Sequence, residues 1–144
     1  MKINILSIIL LVLCNVGCVP LVDHVYSIKI QNNTTDTIQF YDSYVFPDTT
    51  IINEKPRLIM AYPSKFSYLD SKEKWEDILP SDTISIYILS KDTLNTYSWE
   101  TIRNEYKILK RYDLSLQDLE MLHYEVPYPP LQNMENIKQF PKYE

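Results

Sequence analysis

A single glycine, Gly17, stands among the 144 residues, and it falls in a leader that is expected to be removed. The domain that folds would then contain none. Glycine enters left-handed and other crowded backbone conformations without steric cost. Phosphate-cradling loops, dinucleotide-binding turns and nucleophile elbows all depend on backbone that only glycine supplies without strain. Those classes of chemistry are excluded on backbone grounds alone.

The leader itself reads as an address. Met1 and Lys2 form a short positive start, Ile5 to Leu13 is an apolar run broken only by Ser7, and Asn15-Val16-Gly17-Cys18 follows. That layout predicts a secretory signal over residues 1–17. Val16-Gly17-Cys18 resembles the lipobox of bacterial lipoproteins, although Asn15 stands where that pattern usually has leucine. The resemblance implies that Cys18 is acylated, becomes the first mature residue and anchors the chain to membrane lipid. Cys14 is a poor alternative, because Leu13 before it is too large for the cleavage pocket. A spanning helix is disfavoured: it needs about 20 apolar residues, and Asn4, Asn15 and Pro20 interrupt the stretch from Ile3 to Val22. Residues 18–24 are expected to form the lipidated cysteine and a short tether. Val19 to His24 reach about 20 Å when extended, so the domain should sit close to the bilayer. Lipoproteins that reach the outer surface often carry an acidic tract after the cysteine, and here only Asp23 is acidic. The periplasmic face of the outer membrane is therefore expected.

Removal of the leader leaves a chain long enough for one domain with a core of its own. A hydrophobic share of 45% and a charged share of 23% are those of a globular protein. Net charge is −5, which disfavours nucleic acid, whose affinity rests on cations meeting phosphates. Both cysteines lie at or before position 18, so no disulfide staples the domain. Residues 25–130 are expected to form the globular unit and 131–144, polar and without a clear period, a flexible tail.

Val25 to Gln31 and Thr37 to Tyr41 are strand-like and flank Asn32-Asn33-Thr34-Thr35, which predicts a hairpin. Pro47, Pro56 and Pro63 punctuate an irregular stretch with one short strand near Leu58 to Ala61. A helical turn is expected within Ser71 to Leu79. Asp82 to Ser90 is the clearest strand, with Ile84, Ile86 and Ile88 on one core-directed face. Ser98 predicts the cap of a helix beginning at Trp99, with Ile102, Tyr106 and Leu109 inward, and the polar Arg111-Tyr112-Asp113 breaks that pattern. Ser115 with Asp118 predicts a capping box for a second helix, with Leu116, Leu119 and Leu122 as its apolar edge. Tyr124 to Tyr128 reads as the last strand. The expected fold is α+β: an antiparallel, sandwich-like sheet with short helices, two of them in the C-terminal third.

Trp99-x-x-Ile102, the run Tyr106-Lys107-Ile108-Leu109-Lys110-Arg111-Tyr112-Asp113-Leu114-Ser115-Leu116-x-Asp118-Leu119 and Tyr128-Pro129-Pro130 resemble a family of small Bacteroidota lipoproteins without an assigned activity. With Trp75 and Asp82 to Thr93, the resemblance spans most of the chain. It implies a location and carries over no catalytic residue.

Candidate chemistry is sparse. His24 and His123 are the only histidines, and no His-x-x-x-His pattern is present, so no metal, cofactor or catalytic residue is predicted. Arg103, Lys107, Lys110 and Arg111 recur at near-helical spacing and suggest one basic helical side. Tyr41, Tyr44, Tyr62, Tyr68 and Trp75 could form a stacking platform for sugars or a partner protein. Asp36-Thr37-Ile38, Asp48-Thr49-Thr50, Asp82-Thr83-Ile84 and Asp92-Thr93-Leu94 resemble the O-glycosylation motif of Bacteroidota envelope proteins, against about half of one chance match. Thr37, Thr49, Thr83 and Thr93 are thus candidate glycosylation sites, with Thr49 expected to be the most accessible. Asp-Thr is also good chemistry for leaving a turn and entering a strand. The function expected is a non-enzymatic, lipid-anchored binding or accessory module with an envelope protein or glycan partner. The alternatives are a structural envelope component and, more remotely, a carboxylate-based hydrolase.

Overall fold

The computed structural model describes residues 24–143; the leader, Cys18 and the tether through Asp23 lie outside the described residues. In chain order the elements are β1 (Tyr26–Asn32), β2 (Ile38–Ser43), β3 (Ile59–Ala61), β4 (Phe66–Ser71), α1 (Trp75–Ile78), β5 (Thr83–Ser90) and α2 (Lys91–Thr96). Then follow α3 (Trp99–Asn104), β6 (Lys110–Ser115), α4 (Leu116–Met121), β7 (Glu125–Tyr128), a 3-10 turn (Gln132–Met134) and β8 (Lys138–Phe140). The fold is α+β, with two helices in the C-terminal third.

The strands form two sheets, one ordered β4-β1-β7 and the other β3-β2-β5-β6-β8. Every pairing is antiparallel except β1 with β7. Ile28 and Ile30 of β1, Leu69 of β4 and Val126 of β7 face Ile38 and Phe40 of β2, Ile84, Ile86 and Ile88 of β5, and Tyr112 and Leu114 of β6. Trp75, Leu79, Leu119 and Leu122 add to this same core. Each such aliphatic side chain, fully buried, contributes about 1.5–3 kcal/mol.

The second face of the larger sheet is also covered. Tyr41, Tyr87 and Leu89 pack beneath Ile51 and Ile102, with Trp99, Tyr106, Ile108 and Leu94 around them. The molecule is therefore layered: small sheet, large sheet, then a lid of loop and short helices. This layering explains why β5 is buried on both faces, where the alternation of isoleucines predicted one.

The expected hairpin between β1 and β2 does not form, because the two strands belong to different sheets. Both present isoleucines to the same core from opposite sides, so the chain must arch across it. Asn32, fully buried, organises the arch. Its Nδ2 donates to the carbonyls of Asp36 (2.7 Å) and Ala61 (3.0 Å). Its Oδ1 accepts from the amide (3.0 Å) and hydroxyl (2.7 Å) of Thr34. The side chain's hydrogen-bonding capacity is filled.

Two further corrections concern the C-terminal part. Arg111-Tyr112-Asp113, expected as a break between helices, lies within strand β6, so Tyr106 and Leu109 do not extend α3, which ends at Asn104. The segment from residue 131, expected as a flexible tail, is integrated into the fold as far as Tyr143, the last residue described. Met134 and Ile137 belong to the main core, β8 pairs with β6, and Gln139 Nε2 donates to the carbonyl of Met134 at 2.8 Å. Of its apolar residues Met134 and Ile137 are buried, whereas Leu131 and Phe140 stay exposed.

Candidate functional site

The outer face of the large sheet carries a polar row beneath the lid. Register places Tyr41 beside Tyr87, Tyr87 beside Arg111 and Arg111 beside Phe140. The Tyr41 and Tyr87 rings stack at 4.7 Å with 5° between planes, and Trp99 meets Tyr41 edge-on at 6.0 Å. Burial first, then Tyr87 and Tyr106, pushes the Tyr41 phenol above its ordinary range. Burial and Tyr106 do the same to Tyr87, against the opposing pull of Arg111. Neither phenol ionises near neutral pH.

In the next row Ser85 faces Asp113. Arg111 Nε stands 3.0 Å from Asp113 Oδ1, an ion-pair distance without hydrogen-bond alignment. Ser85 Oγ donates to the same oxygen at 2.7 Å. Asp113 is 3% exposed, and its Oδ2 has no hydrogen-bond partner. Burial works against the Arg111 charge, but Asp113 and then Tyr106 outweigh it and hold the guanidinium charged. Ser85 is fully buried, which closes it to any substrate, so this constellation is a buried ionic support.

Tyr106 connects that support to the surface. Arg111 Nη1 donates to its hydroxyl, which donates to the carbonyl of Thr49 at 3.0 Å. Tyr87 reaches the Thr50 carbonyl at 3.5 Å and Trp99 Nε1 the Ile52 carbonyl at 3.0 Å. Three aromatic donors thus tie down the carbonyls of one loop. Between that loop and the end of α3 lies an open depression of ≈ 460 Å³ lined by Thr49, Thr50, Ile51, Asn53, Arg103, Asn104 and Tyr106.

Tyr106 has φ of 52°, left-handed backbone in which glycine is the usual residue. It sits one residue beyond the α3 cap. Lys107 N–H donates to the Ile102 carbonyl (2.9 Å) and Tyr106 N–H to the Arg103 carbonyl (3.4 Å), the paired bonds of a Schellman motif. α4 ends in the same way. There His123 has φ of 52°, Tyr124 N–H donates to Leu119 and His123 N–H to Glu120. With no glycine after Gly17, the chain closes two helices with a tyrosine and a histidine.

The other sequence-predicted residues are scattered. His123 is exposed at that helix end and His24 opens the described chain; among the described residues no group of three or more His, Cys, Asp or Glu is placed to hold a metal ion. The basic stripe is dispersed, since Arg103 is helical while Lys110 and Arg111 are buried on β6. The aromatic platform is also divided: Tyr41 and Trp75 are buried, whereas Tyr44, Tyr62 and Tyr68 are exposed.

Thr83 lies buried in β5, so the folded chain does not present it for glycosylation, a correction that follows from β5 being covered on both faces. Thr93 is half-buried in α2, where its N–H and hydroxyl bond the Ser90 cap at 2.9 and 2.8 Å. Thr37 and Thr49 are half-buried. Asp48 Oδ1 accepts from the Thr50 amide at 2.9 Å, which is turn chemistry.

No family model matches the chain, and neither a curated protein nor a solved structure gives a significant match. No helix among the described residues is long and apolar enough to cross a membrane.

Proposed function

We propose that the chain is a lipid-anchored cell-envelope protein, held to the periplasmic face of the outer membrane by acylated Cys18 and acting as a non-enzymatic binding or accessory module. The observation that carries this reading is Cys18 itself: it follows an apolar leader and a small residue, and only Val19 to His24 separate it from Val25. Attachment through more than one acyl chain is stable, at about 0.8 kcal/mol per buried CH₂. A tether of about 20 Å keeps the domain beside the bilayer. The resemblance to small Bacteroidota lipoproteins, carried by Trp99 to Pro130, agrees with that location. The buried ionic residues support a surface depression and are closed to substrate, which fits a binding role better than turnover.

Intact-mass measurement on protein extracted from native membranes tests the anchor, and affinity capture from the same extract tests the module. The reading expects a chain that begins at Cys18, carries an acyl mass and brings down an envelope protein or glycan. A full-length, unacylated mass would contradict it.

A further inference from the structure

We propose that the depression between the loop at Thr49 to Asn53 and the end of α3 binds an oxyanion, carboxylate or phosphate, borne on a hydroxyl-rich small ligand, with Arg103 as its charge contact. The inference rests on the binding-module reading and not on the anchor. The chain carries 19 acidic residues and a net charge of −5, yet none of the seven residues lining this depression is acidic. Its one charge is Arg103, which forms no ion pair with another described residue. Elsewhere Lys29, Lys74, Lys107 and Arg111 each stand against a carboxylate.

Arg103 is oriented as well as unneutralised. Its Nη1 donates to Asn53 Oδ1, which fixes the plane of the guanidinium and leaves the other N–H groups for a ligand. That planar fork matches carboxylate and phosphate oxygens. The Asn53 and Asn104 amides and the Thr49 hydroxyl supply the neutral hydrogen-bonding groups a polyhydroxylated ligand requires, Tyr106 supplies a ring, and the Thr50 hydroxyl is held by the Asp48 carboxylate. The volume of ≈ 460 Å³ lies within the usual range for small-molecule sites.

The walls are fixed before any ligand arrives. Trp99, Tyr87 and Tyr106 hold the loop carbonyls, and Arg111 holds Tyr106. Left-handed backbone at a bulky residue is retained where something else depends on it. Here the dependent feature is the placement of the Tyr106 phenol between Arg111 and Thr49. Such preorganisation removes ordering costs from binding.

The test is a nuclear magnetic resonance titration of the full-length chain in detergent micelles, with glucuronate, glucose 6-phosphate and neutral glucose as separate probes. The expected result is saturable movement of the Asn53 and Asn104 side-chain amide signals with at least one anion and none with glucose. The responding anion then identifies the oxyanion as carboxylate, phosphate or either. Arg103→Gln, which keeps hydrogen-bond donors and removes the charge, should raise Kd at least about tenfold while the Tyr41 and Tyr87 signals stay in place. Asn104→Ala, on an exposed residue, should weaken binding about threefold and gives a second check on the site. The proposal is overturned if neither anion gives a saturable response by about 20 mM, if glucose responds equally, or if Arg103→Gln binds as tightly as the parent. Absence of anion binding by the parent chain, with an envelope partner still captured, would refute the depression's role and leave the module reading standing.

Discussion

At the scale of single residues, the lack of any glycine after Gly17 is written into the helix ends. Ser64, Asp82, Tyr106, His123 and Tyr124 all have positive φ, where a side chain costs about 1–2 kcal/mol. Tyr106 offsets that cost through its phenol, but His123 is exposed. His123→Gly should therefore raise stability by about 0.5–1 kcal/mol, measured by urea denaturation. Gln117→Gly, inside α4, should lower it by about the same amount. Equal effects of the two substitutions would contradict the left-handed cap. The starts of these helices are legible in the sequence, because Ser98, Ser115 and Asp118 act through side chains that can be read directly. Ser115 and Asp118 form the capping box. The end of α3 is not legible, since the residue that marks such an end is glycine and here a tyrosine stands in for it.

At the scale of elements, β6 shows most clearly what patterning could not reveal. Arg111 and Asp113 read as a polar interruption, yet they are the outward half of a strand whose inward half is Tyr112 and Leu114. Their charges compensate each other within a covered face, which only the pairing of distant strands creates. Removing one partner of a buried pair strands the other charge, at about 3–5 kcal/mol, whereas replacing both with apolar groups is often neutral. Asp113→Ala should thus be strongly destabilising, and adding Arg111→Met should recover much of the loss. A double-mutant cycle in denaturant measures this directly; additive losses would show that the pair is not coupled. The segment from residue 131 gives a second case. Deleting residues 131–144 should cost about 3–6 kcal/mol through Met134 and Ile137, where loss of a frayed tail would change the denaturation midpoint little. The site is legible only in part: Arg103 stands out as one of a basic series, but its partner Asn53 and the neighbouring Asn104 carry no signal until the loop folds over α3.

At the scale of the whole molecule, the two cores are both floored by tyrosines on the large sheet. Burial raises the phenol of Tyr112 above its ordinary range, as it does those of Tyr41 and Tyr87. These groups are neutral when folded and ionise more readily when unfolded, so their contribution is complete below about pH 10 and lost as pH rises beyond it. Stability should be level from neutral pH to about pH 9. Above about pH 10 it should fall with a slope approaching 1.4 kcal/mol per pH unit for each buried phenol. A flat profile through that range would show that the rings are accessible to water.

The proposed role turns on where the molecule is held. Metabolic labelling with a palmitate analogue, comparing the parent chain with Cys18→Ser and Cys14→Ser, tests it most directly. Label should enter the parent and Cys14→Ser and vanish from Cys18→Ser, which should also stay unprocessed in size. Undiminished labelling of Cys18→Ser, or an unlabelled parent, would contradict the anchor and the location built on it.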